Sequence, residues 1–290
     1  MLVIAQSPLL LIIAATYLSQ KSFAFAALAV AGAGVLLAGG MRIARDATAV
    51  TRIAGLPSDR VPWDWTDFVM FWPAAFTAAT LLISIAVPIA DAVTPAVDST
   101  VRTAVESFVA QTAYYAGALF NVWVLVGLRR GGTLRDLGWR RFNWWWILLA
   151  IIGAYATLQL ATYLQLFAER ILPPNTVNGQ CVTVRHDYSH FFVLAIFVVC
   201  VIAPLAEETI FRGFVYGWLQ RAAPVIVAIP VSAAIFSAVH AELLLYIPLF
   251  GVGCMLALFY QGSRSLWPGA VVHSLFNLPG IIAILTASSC

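Results

Sequence analysis

What most constrains this chain is a succession of apolar runs, each close to the length that crosses a bilayer of about 30 Å. They lie at roughly 3–19, 23–40, 67–90, 104–128, 144–167, 190–212, 224–240, 243–261 and 266–287. Lipid offers no partner to backbone N–H and C=O groups, so such runs fold as helices that satisfy their own. The expected fold class is all-α, a polytopic membrane bundle of about eight transmembrane helices. With 62% hydrophobic and only 10% charged residues, and no polar run long enough for a separate domain, an ordinary soluble core fits poorly. The first run lacks a basic start and a small-residue cleavage signal, and a second follows directly, so it reads as a retained span and not a signal peptide.

Charge placement orients the bundle. The loop 41–63 carries Arg42, Arg45, Arg52 and Arg60 against Asp46 and Asp59, and the loop 129–141 carries Arg129, Arg130, Arg135, Arg140 and Arg141 against Asp136. Both are expected in the cytoplasm, with Arg221 and Arg264, and the loop between Phe167 and His190 outside. The net charge of +3 is therefore a topology signal; no basic tract suggests nucleic acid.

Residues 1–128 read as an N-terminal transmembrane scaffold, 129–144 as a basic cytoplasmic loop, and 145–290 as the membrane domain in which polar groups enter the helices. Cys181, Cys200, Cys254 and Cys290 show no metal-ligand spacing and read as small hydrophobes. His186 and His190 stand four apart in the outer loop without a carboxylate motif beside them, which suits a solvated or interfacial role.

The segment "PLAEETIFRG" places Glu207, Glu208 and Arg212 in very apolar surroundings, where an unpartnered charge costs several kcal/mol. On an α-helix Glu208 and Arg212 share a face and can pair, while Glu207 points about 100° away. Glu207 is then left ionisable toward a cavity. His240 and His273 also lie in apolar segments, with Phe236 one turn from His240 and Asn277 one turn from His273. Glu207 and His240 are each roughly 22 to 27 Å of helix from the turn near Ala222, which brings them to similar height on antiparallel neighbours. A single polar pocket is the economical arrangement.

A carboxylate and an imidazole can together deprotonate water. A second imidazole and an amide can hold the oxygen that gains charge when that water adds to a carbonyl. Serine chemistry lacks a G-x-S-x-G context around Ser232, Ser237 or Ser274, and zinc lacks H-E-x-x-H, so a metal-dependent membrane protease is the weaker alternative. A proton-coupled transporter would also use buried Glu and His, but no matching interrupted helices recur in two halves.

"EETIFRG", "FSAVH" and "HSLFN" occur in that order in adjacent hydrophobic segments. They match the E-E-x-x-x-R, F-x-x-x-H and H-x-x-x-N motifs of the CPBP family (CAAX protease and bacteriocin-processing, or Abi), and the chain resembles an intramembrane glutamic endopeptidase related to the Rce1-type prenyl-protein proteases. The likeness covers about residues 145–287, and "LRDLGW" resembles a signature that often precedes the domain. It implies that Glu207 and His240 activate water, that His273 and Asn277 form the oxyanion site, and that Glu208, Arg212 and Phe236 support them. No cofactor and no bound metal are implied. The implied partners are membrane lipids and a peptide or lipidated-peptide substrate, prenylated CAAX-type or bacteriocin-like, in a bacterial inner or plasma membrane. A catalytically idle membrane adaptor or immunity protein is the alternative.

Overall fold

The computed structural model describes residues 6, 34, 61–95, 97–173 and 178–286. Apart from Gln6 and Gly34, the runs at 3–19 and 23–40 lie outside the described residues, as do most of the loop 41–63 and Cys290. The described residues form α1 (Trp65–Val93), α2 (Ser99–Leu128), α3 (Trp145–Ile171), α4 (Gly179–Tyr188), α5 (Phe192–Ala222), α6 (Val225–Ala238), α7 (Leu243–Ser263) and α8 (Leu266–Thr286), with no strand among them. Six of these, α1, α2, α3, α5, α7 and α8, are long and apolar enough to cross a membrane. The chain is thus an all-α, multi-pass membrane protein. The run at 224–240 departs from expectation: its helix, α6, has only 14 residues and stops at Ala238.

The chain divides into two compact units, residues 1–88 with 113–136 and residues 89–112 with 137–290. In the first, the fully buried Asn121 accepts from Gln6 Nε2 at 3.0 Å and donates to the carbonyls of Ala74 and Gly117 at 3.1 and 3.0 Å. Gly117 permits that approach, since a Cβ there would lie 2.5 Å from Ala79 N. The buried Asp67 pairs with Arg129 and, at 2.7 Å, with Arg130, which also reaches Asp64 at 2.8 Å. Burial alone would raise the Asp64 carboxyl, but the charge and hydrogen bond of Arg130 and the N–H groups of Thr66 and Asp67 outweigh it and hold it below the usual carboxylate range.

In the second unit α3, α7 and α8 pack on one another, α8 lies against α5, and α6 lies against α5 and α7. Helix α5 has 31 residues, about 47 Å at 1.5 Å per residue, longer than the bilayer core, as its sequence suggests. It widens into π-helical turns at Val198–Ile202 and again at Glu208–Tyr216. Pro204 supplies a cause for the first: it has no N–H to donate, and its ring crowds the carbonyl four residues back at Cys200. Every residue of the second π segment is buried, so α5 is enclosed there and not merely half-covered.

The "LRDLGW" stretch seats this helix. Gly138, at φ 108°, accepts from Leu266 N at 2.9 Å, and Trp139 Nε1 donates to Thr209 Oγ1 at 2.9 Å while its ring meets Trp267 edge-on at 4.7 Å. A Cβ on Gly213 would lie 2.7 Å from the Leu137 carbonyl, a backbone atom that cannot swing aside, which explains the glycine closing "EETIFRG".

Two expectations need correction. The segment between Phe167 and His190 is not all loop, because Asn178 Oδ1 accepts from Cys181 N at 3.1 Å and starts α4, which carries His186. Cys181 is disulfide-bonded and not a free small hydrophobe, whereas Cys200 and Cys254 are free. Scattered cysteine spacing gives no sign of such a pairing.

Candidate active site

Glu207 ends the α-helical turn after Pro204 and Glu208 begins the π segment. The step between them keeps ordinary helical angles, φ −68° and ψ −40° at Glu207 and φ −62° and ψ −39° at Glu208, so the two side chains leave the helix about 100° apart. Glu208 Oε1 lies 3.3 Å from His273 Nδ1, and Glu207 Oε2 lies 3.7 Å from His273 Nε2. One imidazole on α8 thus bridges the two diverging acids, with a ring nitrogen toward each.

Glu208 and Arg212 are wholly buried, and Arg212 Nη1 stands 3.1 Å from Glu208 Oε1. Arg212 Nη2 donates to the Gly253 carbonyl at 3.2 Å, and its guanidinium carbon lies 4.4 Å from the centre of the Phe236 ring. That carbonyl is brought up by tight packing of α7 on α6, where a Cβ at Gly253 would be 2.9 Å from Ala233. Gly269, one turn before His273, leaves room for Glu208 in the same way: a Cβ there would lie 2.8 Å from Glu208 Oε2. These two glycines were not singled out in the sequence, although a glycine four residues ahead of a buried histidine is a readable sign of a close neighbour on that face.

His240 lies in the turn past α6, not inside a helix, and is partly exposed. Its Nδ1 is 2.8 Å from the Phe236 carbonyl. A carbonyl only accepts, so the proton resides on Nδ1 and Nε2 keeps its lone pair, the form needed of a base. Phe236, fully buried, joins the histidines: its ring meets His240 at 4.9 Å and His273 at 5.9 Å, both edge-on. Asn277 Nδ2 donates to the Val199 carbonyl, inside the first π segment, at 2.8 Å, which orients the amide and leaves its second N–H.

Glu207, Glu208, Arg212, Phe236, His240 and His273 are thus linked through direct contacts, and Asn277 stands one helical turn beyond His273. His186 faces Asp187 at 2.9 Å on the exposed side of α4. Among the described residues, no three His, Cys, Asp or Glu side chains are grouped to hold a metal ion.

Residues 189–279 match the family described as Type II CAAX prenyl endopeptidase, Rce1-like. The segment contains every residue of this cluster. A curated relative, the membrane-embedded CAAX protease MroQ of Staphylococcus aureus (strain USA300), is 28% identical over 140 residues, 46% of this chain and 54% of the relative. The chain thus matches about half the length of that relative. No solved structure matches the chain.

Proposed function

We propose that this chain, whose residues 189–279 match the Rce1-like family of CAAX endopeptidases, is an intramembrane glutamic endopeptidase. Its catalytic membrane domain is residues 145–290, carried beside an N-terminal scaffold of residues 1–128 in a cell membrane. The observation that carries the reading is the meeting of two adjacent acids on one imidazole. Glu208 lies beside Arg212 and His273 Nδ1, and Glu207, the less buried of the two acids, lies 3.7 Å from His273 Nε2.

The reaction follows from these groups. Glu207, with the Nε2 lone pair of His240, takes a proton from water, and the hydroxide adds to the scissile carbonyl carbon. Charge gathering on the carbonyl oxygen is met by His273 and by the second N–H of Asn277. The C–N bond breaks as the proton passes to the departing amine, which releases a carboxylate and an amine. Glu208, Arg212 and Phe236 hold His273 and His240 in place. The substrate is a peptide with a prenylated cysteine near its C-terminus, the class named by the matching family, and the relative's name likewise gives CAAX.

Cleavage of a prenylated C-a-a-X peptide by purified protein tests this. Glu207→Gln keeps size and hydrogen-bonding reach but removes the base, and should cut the rate about 10²- to 10⁴-fold with undiminished yield of folded protein. Wild-type rates in that variant would end the glutamic mechanism. Reversible loss of wild-type activity on chelation would assign the chemistry to a metal.

A further inference from the structure

Glu242 stands two residues beyond His240, where the turn enters α7. From the position before a first helical turn, an acidic side chain ordinarily folds back onto the N–H groups of its own helix. With φ −116° and ψ 108°, Glu242 makes no such bond. Its carboxylate instead crosses to another helix: Oε2 accepts from the N–H of Gly179, the first residue of α4, at 3.3 Å. That helix start already has the Asn178 cap, so Glu242 brings a second acceptor, and a negative charge, to donors that have no partner within the helix. A Cβ at position 179 would lie 2.4 Å from Glu242 Oε1 and would displace that carboxylate.

Both ends of this link are instructive. On the α4 side the anchor is firm: Tyr188 is fully buried, its hydroxyl accepts from Gln111 Nε2 at 2.9 Å, and Cys181 is disulfide-bonded. On the other side is the turn that carries His240, in which Ala241 adopts φ 54°, a region that residues with a Cβ rarely enter and hold only when their surroundings enforce it.

We propose that Glu242 is a positioning residue for His240, clamping the turn 239–242 to the N-terminus of α4 so that the imidazole is held ready beside Phe236. The inference rests on the reading of His240 as part of the water-activating pair.

The test uses full-length wild type, Glu242→Ala, Glu242→Gln, Gly179→Ala and the Glu242→Ala/Gly179→Ala double variant. Three quantities are read: kcat and KM on a prenylated C-a-a-X peptide, thermal midpoint, and the rate at which diethylpyrocarbonate modifies His240, with exposed His186 as internal reference. Glu242→Ala should lower kcat about tenfold with KM within about twofold, the loss expected for a charge-assisted hydrogen bond. Gly179→Ala should do the same by displacing the carboxylate, and the double variant should be no worse than Glu242→Ala, because both remove one interaction. Glu242→Gln, which keeps an acceptor, should recover most of kcat. The His240 modification rate should change at least about threefold in both single alanine variants, while that of His186 does not. Additive losses, wild-type kcat in Glu242→Ala, or no recovery in Glu242→Gln would overturn the proposal. If the wild type cleaves nothing, the protease reading fails by itself, and an unchanged His240 modification rate in both single variants would still overturn the clamp.

Discussion

Among the described residues, two clusters of adjoining acids have different partners. Asp64 and Asp67 meet the arginines Arg129 and Arg130. At Glu207 and Glu208, Arg212 stands beside Glu208 and the imidazole of His273 stands beside both acids. A guanidinium stays charged under ordinary conditions, so the arginines of the first cluster act as fixed charges. An imidazole can gain or lose a proton near neutrality. On the proposed mechanism the contrast separates holding from reacting: arginine matched to acid makes a strut, and histidine beside a pair of acids brings a group that can exchange a proton.

The comparison breaks if the two clusters respond alike to removal of an acid. Glu207→Gln should give the largest effect, the loss of about 10²- to 10⁴-fold in cleavage rate with folding intact. Asp67→Asn should do the reverse. It leaves two guanidinium groups short of a buried partner, so stability should fall by about 3–5 kcal/mol, read as a lower thermal midpoint and lower yield in detergent, while kcat per folded molecule stays at the wild-type value. A variant at Asp67 that folds normally but cleaves slowly would erase the distinction.

Asn277→Ala sharpens it further. Removal of an oxyanion donor should lower kcat about 10²- to 10³-fold, with a smaller loss of yield because the Val199 carbonyl loses its partner. Unchanged kcat would reduce Asn277 to a tie between α8 and α5. The smallest effect is expected at Trp139→Phe, which keeps an aromatic ring against Trp267 but drops the bond to Thr209. One neutral hydrogen bond corresponds to about 0.5–1.5 kcal/mol, so the thermal midpoint should fall slightly and kcat should hold.

Much of this arrangement is legible in the sequence, and the exceptions share a cause. Hydropathy alone locates α5, because a segment in lipid must be an apolar helix, but the apolar run 190–212 stops short of the helix end at Ala222. The spacing of Glu208 and Arg212 announces their pairing, since both turn types leave them on neighbouring faces. The convergence of Glu207 and Glu208 on His273 is not legible: it depends on α8 bringing the imidazole between two acids that diverge on α5. The turn at His240 is hidden too, because Phe236 and His240 keep helical spacing across the helix end. Glu242 reads as a cap for its own helix, and only the folded chain shows that it serves another. In each case the missing information is contact between segments distant in sequence, which local periodicity does not carry.

The shortness of α6 has a consequence for water supply. Fourteen residues cover about 21 Å, some 9 Å less than the hydrocarbon thickness of an ordinary bilayer. A hydrophobic segment shorter than the bilayer core is accommodated by local thinning, which draws lipid headgroups and water inward at its end. The last carbonyls of α6 are themselves taken by the turn, that of Phe236 by His240 Nδ1 and those of Ile235, Ser237 and Ala238 by the N–H groups of Val239, His240 and Ala241. The turn bearing His240 lies at that end. Hydrolysis inside a membrane is limited by access to its second reactant, and a local thinning of the bilayer at the end of α6 would bring that reactant to the imidazole by hydration, without a dedicated channel through the bundle.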